Sequence, residues 1–337
     1  SEEGFSREMW GEFAELGVIG ALFGEDAGGF GGEGDDLMVV FEALGRALVV
    51  EPFLPTLLAG SLIADLGSHE QKAMLESVIA GGTLLAFAHG EPQSRYELEH
   101  VAAHAVEAEG GFAITGHKSV VLGGGTADKL VVSARTGGAS GDKDGISLFI
   151  VDAKAHGISI RSYGTVDGYP AAEISLNGAK GELLGAPGSA FPAIEKAYAR
   201  GIVAVTAECL GAMERAKDLT IEYMHTRKQF GVIIGKFQAL QHRMADVLIE
   251  IEQLRSSLIN AAGHLTAERL LREKMVSAAK NLAGRAGRQT AEEAIQIHGG
   301  MGMTWEYPVG HYAKRIIMID HLFGDADHHL ERFVELS

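Results

Sequence analysis

The sequence predicts a mainly helical protein with one central β unit, because the hydrophobic period changes twice along the 337 residues. Residues 1–82 have a helical period that is broken by the glycine-rich loop "GEDAGGFGGEGDD". Over residues 83–187 the period shortens and glycines recur, and over residues 188–337 the helical period returns. We therefore predict an N-terminal helical domain, a middle β domain and a C-terminal four-helix domain with these bounds.

Single segments support each part of this division. The middle region contains runs typical of strands, namely "FAITGHKSVVLGG", "DKLVVSAR", "ISLFIVDA", "GISIRSY" and "AAEISLNG". The C-terminal region contains an apolar row spaced alternately by three and four residues: Phe237, Leu240, Met244, Val247, Ile251, Leu254 and Leu258. A row of this kind predicts a long helix that packs against other helices in a bundle.

Composition excludes several functional classes. The net charge of -16 disfavours nucleic-acid and acidic-membrane partners, because the phosphate groups would be repelled. No apolar run is long enough to span a membrane. The only cysteine, Cys209, excludes a disulfide framework and fits a reducing cytoplasm. The chain opens on "SEEGFSREMW", already in a helical pattern, so we expect its natural N-terminus to lie upstream.

Two glycine-rich segments are interpreted as turns. The loop at residues 28–34 follows a helix and lacks a Lys-Ser/Thr pair, so it is neither a phosphate-binding loop nor a dinucleotide fingerprint. "GGG" at residues 123–125 follows a strand and suits a turn or a close backbone approach to a ligand.

Two C-terminal segments each permit a structural and a functional interpretation. In "YMHTRKQFG", Arg227 could complement a helix dipole, or it could bind a phosphate while Phe230 offers a flat face to a ring. In "QIHGGMGMTWEYP", Gly299 and Gly300 could end a helix, or they could let a ligand approach while Gln296 hydrogen-bonds to it.

Together, "RKQFG", "FQALQHRMADV" and "QIHGGMGMTWEYPVGHYAKR" resemble the C-terminal domain of the acyl-CoA dehydrogenase family, and the resemblance covers nearly the whole chain. It implies helical, β-barrel and four-helix domains and a cytoplasmic, FAD-dependent oxidoreductase that introduces an α,β double bond into an acyl-CoA. It also implies that Arg227, Phe230 and Gln238 bind FAD across a subunit interface. Gln296, Gly299 and Gly300 would hold the adenosine diphosphate half of the FAD, and an electron-transferring flavoprotein would take the electrons.

The chain departs from the family at its catalytic base. Counting forward from Glu306-Tyr307-Pro308, the family's glutamate falls on Phe323 and its glycine on Gly324. The family's other base position precedes an arginine on the first helix of the C-terminal domain, and here Ala199 precedes Arg200. Glu195 and Glu208 lie further away. We therefore expect a carboxylate at neither position.

The flavin-facing segments of the family's middle domain are also altered. The loop "GEPQSRYE" keeps Glu91-Pro92 but loses the family's glycines. In the strand "VVLG", Val120 and Leu122 replace the aromatic and hydroxyl residues that contact the flavin ring in the family. By this resemblance, the half of the site that holds adenosine is intact and the half that holds the redox-active ring is eroded.

The segment "HLFGDADHHLER" leaves several hypotheses open. Gly324 is expected to break a helix and Asp325 to cap the next one, so His321, Asp325 and His328 make a poor metal site, and we discard a metal-dependent hydrolase. Asp325 is a candidate displaced base in a self-sufficient homo-oligomeric enzyme. The favoured hypothesis is a base-less subunit that pairs with a homologous large subunit. The ending resembles bacterial small subunits, which suggests a dicarboxylyl-CoA substrate such as pimeloyl-CoA.

Overall fold

The computed structural model describes residues 4–337, which form two compact units. The first unit contains the chain up to residue 33 and residues 50–201, and the second contains residues 34–49 and 202–337. Residues 1–3 of the predicted N-terminal domain lie outside the described residues. Over residues 4–337 the helices are α1 (Arg7–Glu15), α2 (Gly34–Ala47), α3 (Phe53–Leu66), α4 (His69–Ile79), α5 (Phe191–Thr226), α6 (Gln238–Gly263), α7 (Arg269–His298), α8 (Val309–His321) and α9 (Ala326–Glu335).

A seven-stranded sheet forms the β part of the first unit within the described residues. Its strands are β1 (Leu85–Ala88), β2 (His104–Ala108), β3 (Gly111–Leu122), β4 (Lys129–Arg135), β5 (Ile146–Asp152), β6 (Ile158–Gly164) and β7 (Pro170–Leu184). The order is β1-β4-β2-β3-β7-β5, with β6 on β7 and a further pairing of β4 with β5. The link between β2 and β4 is a single pair, His104 with Arg135. The order of a helical, a β and a second helical region is confirmed, whereas the predicted domain bounds and the closure of the sheet into a barrel stay predictions.

The core of the first unit follows from sequence runs that are apolar on every face. In α3, each residue from Phe53 to Ile63 is buried, and β4 and β5 are buried along almost their whole length.

All five predicted strands are present. We missed β1 and β2, because β1 has four residues and only Ala105 of β2 is buried, so neither gives a clear period. The predicted turns also form: a 3-10 turn at Glu25–Ala27 precedes the 28–34 loop, and Gly123 begins a turn after β3. No helix within residues 4–337 is long and apolar enough to cross a bilayer.

The second unit is built from helices, and the predicted apolar row lies in its core from Met244 onward. Phe237 precedes α6 and is 37% exposed, and Leu240 is half-buried, so the first turn of the row is not part of the core. Met244, Val247, Ile251, Leu254 and Leu258 are all buried along α6. Helix α2 belongs to this unit and packs closely on α5. A Cβ atom at Gly45 would lie 2.0 Å from the Glu208 carbonyl oxygen, and one at Gly211 would lie 2.0 Å from the Glu42 carbonyl oxygen. The close approach of α2 and α5 therefore depends on a glycine from each helix.

Replacing Gly211 by alanine is expected to destabilise the protein by about 2 kcal/mol or more, because the new methyl group overlaps the backbone of α2. Gly11→Ala in α1 is the matched control, since no heavy atom lies within 4 Å of a Cβ there. Alanine at that site is expected to stabilise its helix by up to about 1 kcal/mol. Thermal unfolding of the two variants measures both effects, and a Gly211→Ala protein as stable as the parent would contradict this packing.

Candidate functional site

Phe230 lies in the turn of a tight hairpin that follows α5, and Arg227 and Gln238 lie before and after this hairpin. Its strands are β8 (Lys228–Gln229) and β9 (Val232–Ile233), and Phe230 and Gly231 form the two-residue turn with φ values of 55° and 79°. Positive φ at both turn positions matches the turns that join short antiparallel strands. Phe230 is 91% exposed, and Arg227 and Gln238 are also exposed. The hairpin and the residues beside it therefore expose an aromatic ring, a guanidinium group and an amide.

Gln296, Gly299 and Gly300 lie where α7 ends. Gly299 has a φ of 60°, which ends the helix without steric strain because glycine lacks a Cβ atom. No heavy atom lies within 4 Å of a Cβ built at Gly299 or Gly300, and all three residues are exposed. The backbone at the two glycines is therefore open to a ligand.

An aromatic cluster joins these two segments. The Tyr223 ring, one turn before Arg227, stacks on the His298 ring with centroids 4.4 Å apart, and Tyr307 approaches His298 at 4.9 Å. His298 precedes Gly299 directly and is buried. Burial lowers the pKa of His298, and its Nδ1 lies 2.7 Å from the Ala294 carbonyl oxygen. The structure thus places in contact two predicted segments that lie far apart in the chain.

The strand that would face the flavin ring has an unusual conformation. The pairing of β3 with β7 shifts register between Lys118 and Val121, and Val120 has a φ of 51° and is 53% exposed. The Val120 N–H donates to Glu173 at 3.3 Å, and the Tyr163 hydroxyl donates to the same carboxylate at 2.8 Å. Burial alone would raise the pKa of Glu173, but these and neighbouring hydrogen bonds lower it to about 2.

The chemical groups of these segments can be compared with those that the two halves of FAD require. The exposed hairpin and the open glycines suit an adenosine diphosphate group, which needs a guanidinium for phosphate and an open backbone. Val120 and Leu122 supply neither an aromatic face nor a hydroxyl for the isoalloxazine ring. The residues therefore fit the adenosine half of the cofactor and fit its redox half poorly.

A buried ion pair fixes the loop "GEP" to β3. The Lys118 ammonium donates to Glu91 at 2.7 Å, to Ser133 at 3.1 Å and to the His89 carbonyl oxygen at 3.1 Å, and its side chain is fully buried. Glu91 also accepts from the Ala102 backbone N–H at 2.8 Å. Burial lowers the pKa of Lys118 to about 8 and that of His89 to about 3. For Glu91, burial raises the pKa, but the charge and hydrogen bond of Lys118 outweigh it. We did not predict this buried cluster from the sequence, although the Glu91-Pro92 pair in the loop had been noted.

The expected base position lies in a turn that side chains of α7 and α9 hold in place. Phe323 follows α8 with a φ of 62°, and its carbonyl oxygen lies 3.0 Å from Nε2 of the buried His329. The Lys280 ammonium donates to the carbonyl oxygens of Asp320 at 2.8 Å and Gly324 at 2.6 Å. Burial lowers the pKa of Lys280 to about 8 and that of His329 to about 2. The turn is therefore well defined, and it carries a phenyl ring rather than a carboxylate at residue 323.

The predicted helix break and cap are confirmed. Helix α8 ends at His321, and α9 begins after Asp325, whose carboxylate accepts from the His328 backbone N–H at 2.9 Å. Because His329 contacts the Phe323 carbonyl oxygen and lies 3.3 Å from Ser277, its ring is engaged within the fold. The metal alternative gains no support from this arrangement.

Other carboxylates near the alternative base position are committed to the core. Glu208 forms a buried two-point contact with Arg315, with distances of 2.6 and 2.7 Å. Glu195 is only 1% exposed. Arg200 donates to the Ser61 hydroxyl at 3.1 Å, and its neighbour Ala199 carries no acid.

Comparisons with known proteins identify the family of the chain. Family descriptions match residues 1–82 as an acyl-CoA dehydrogenase N-terminal domain, 86–179 as the middle domain and 191–334 as the C-terminal domain. The caffeyl-CoA reductase–Etf complex subunit CarC of Acetobacterium woodii is 30% identical, over 90% of this chain and 83% of the relative. Butyryl-CoA dehydrogenase of Megasphaera elsdenii superposes with a TM-score of 0.90 and 26% identity, over 99% of this chain and 91% of that one. The ChsE4–ChsE5 complex of Mycobacterium tuberculosis superposes with a TM-score of 0.87 and 29% identity, over 98% of this chain and 88% of that one.

The chain therefore belongs to the acyl-CoA dehydrogenase family, a class of flavoprotein oxidoreductases. Members of this family depend on FAD, and this chain is an FAD-dependent enzyme of the same kind.

Replacing Lys118 by methionine is expected to destabilise the protein by about 3 kcal/mol or more, because Glu91 is left buried without its counter-charge. Lys129→Met is the matched control. It breaks an ion pair with Asp152 whose partners are 35% and 52% exposed, so we expect a loss below about 1 kcal/mol. Urea unfolding of both variants measures the difference, and equal losses would refute a special role for the buried pair.

Proposed function

We propose that this chain is the base-less subunit of a hetero-oligomeric acyl-CoA dehydrogenase and that it pairs with a homologous large subunit. The observation that carries the proposal is Phe323 at the family's base position. A phenyl ring cannot take the α-proton of an acyl thioester, whereas a carboxylate can. Lys280 and His329 hydrogen-bond to the backbone of the turn around Phe323, which supports a fixed position for the phenyl ring.

The role of this chain in the proposed assembly is to complete a cofactor site. Arg227, Phe230, Gln238, Gln296, Gly299 and Gly300 would hold the adenosine diphosphate half of FAD at the interface. Their exposure, and the contact of Tyr223 with His298, support this assignment. When bound, FAD accepts the hydride of the dehydrogenation. The solved ChsE4–ChsE5 complex is a precedent for two different polypeptides, and CarC is a precedent for association with an electron-transferring flavoprotein.

The substrate class follows from resemblance. The ending "LFGDADHH" is most like that of the small subunit of pimeloyl-CoA dehydrogenase, so we propose a dicarboxylyl-CoA such as pimeloyl-CoA as the acyl substrate. The proposal retains the predicted domain bounds, the middle-domain barrel and a cytoplasmic location, which suits the buried, unpaired Cys209.

The second candidate is a self-sufficient homo-oligomeric dehydrogenase in which Asp325 acts as the base. Asp325 lies two residues beyond Phe323, which favours it over other carboxylates. Its bond to the His328 backbone N–H disfavours it, because a capping carboxylate contributes to the stability of α9 in that position.

The purified chain alone is expected to retain no FAD that pimeloyl-CoA can reduce. After saturation with FAD and removal of the excess, an anaerobic visible spectrum before and after addition of pimeloyl-CoA makes the measurement. Co-expression with a homologue that carries the glutamate base is expected to restore bleaching at the flavin absorption band. Bleaching of flavin on the isolated chain would instead establish self-sufficiency.

Replacing Asp325 by serine separates its two possible roles. Serine keeps the helix cap but has no carboxylate, so we expect the stability and the dehydrogenation rate of the assembly to stay nearly unchanged. Asp325→Ala is expected to cost about 1 kcal/mol of stability without a matching loss of rate. A large loss of rate in a stable Asp325→Ser protein would support the displaced-base alternative.

A further inference from the structure

The loop between α7 and α8 carries an exposed tryptophan that the site described above does not use. Trp305 is 73% exposed, whereas the other tryptophan, Trp10, is 2% exposed. The Lys314 ammonium lies 4.4 Å from the centroid of the Trp305 ring. The His311 ring meets it at 89° with centroids 4.9 Å apart, and His311 Nε2 lies 2.8 Å from the Trp305 carbonyl oxygen. The indole is therefore both open to solvent and held in place.

The loop itself is anchored at both ends. His298 and Tyr307 are in contact at its base, and the Thr304 N–H donates to the Met301 carbonyl oxygen at 3.2 Å. Gly310 of α8 packs against the loop, since a Cβ atom there would lie 2.9 Å from the Gly302 carbonyl oxygen. A flat side chain on an anchored loop loses little conformational entropy when a ligand binds.

The pairing of an indole with an ammonium suits a ligand that has both an aromatic ring and negative charge. Nucleobases stack on exposed aromatic side chains, and lysine binds phosphate as a flexible point charge. Met301 and Met303 are also exposed on this loop and could suit an apolar protein contact. Burial of Lys314 in such a contact would require a new counter-charge, so the lysine favours a phosphate-bearing ligand.

We propose that Trp305 and Lys314 bind an adenosine phosphate, with the adenine on the indole and a phosphate on the ammonium. This rests on the proposed function in one respect: Gly299 and Gly300, assigned to the diphosphate of FAD, begin the same loop. The adenosine phosphate could come from FAD or from the nucleotide end of CoA, because both contain one.

The first experiment uses ADP as the probe and tryptophan emission of the full chain as the readout. Because Trp10 is buried, saturable quenching by ADP reports on Trp305. Trp305→Leu is expected to abolish the quenching, while Trp10→Phe keeps it. Lys314→Gln is expected to weaken ADP binding about ten-fold and adenosine binding much less, since only ADP carries phosphate. Lys274→Gln is the matched control, because that ammonium lies 5.0 Å from the Phe333 ring in another part of the second unit.

Calorimetric titration with ADP extends the test to variants without the fluorophore. Trp305→Phe is expected to bind ADP within about three-fold of the parent, because a phenyl ring still stacks, whereas Trp305→Leu is expected to lose about ten-fold. The proposal is overturned if ADP causes no saturable change, or if the leucine and phenylalanine variants bind ADP equally well.

A second experiment on the assembled enzyme identifies the source of the adenosine phosphate. If the source is FAD, Trp305→Leu lowers FAD retention; if it is CoA, Trp305→Leu raises the KM for acyl-CoA while FAD is retained. Arg227→Met is the reference for the proposed site. If Arg227→Met loses FAD but the parent protein does not bind ADP at Trp305, this inference is refuted and the proposed cofactor site is not. ADP binding at Trp305 with unchanged FAD retention in Arg227→Met refutes the proposed cofactor role of Arg227 alone.

Discussion

The stacking of Tyr223 on His298 is the contact that connects the ends of two long helices in the second unit. It joins the end of α5 to the end of α7, and each of these ends leads directly into a segment that we propose for the FAD site. The contact is buried at His298, while the hairpin and the glycines beyond it are exposed. A packed contact of this kind sets the separation of two exposed segments without itself occupying the ligand surface.

The turn at Phe323, where we expected the catalytic base, is held by specific side-chain contacts. Lys280 and His329 bond to successive carbonyl oxygens around Phe323, and Asp325 caps the helix that follows. Each of these side chains satisfies backbone groups that would otherwise be unpaired at a helix end. The polar residues of "HLFGDADHHLER" are therefore explained largely by the architecture of the turn, which removes the main reason to assign chemistry to them.

The middle domain contains a buried ion pair next to a strained segment of β3. Lys118 and Glu91 still tie the loop to β3 through a fully buried, hydrogen-bonded pair. Beside it, Val120 adopts a positive φ and gives its N–H to Glu173. A β-branched residue at positive φ is strained, and it persists only where surrounding contacts determine it. The conformation of Val120 is thus determined by its neighbours in the sheet and not by its own backbone preference.

The sequence by itself determined the order of helical and β regions, the buried face of α6, the break at Gly324 and the cap at Asp325. These features depend on local periodicity, on glycine and on short-range capping, all of which are written in neighbouring residues. It also located the segments of Arg227 and Gln296, but not the side-chain contact that joins them. Only the tertiary structure decided that Tyr223 and His298 bring these motifs together, that Lys280 reaches the turn at Phe323, and that Lys118 and Glu91 share one buried site. Such contacts join residues far apart in the chain, and packing in three dimensions selects them.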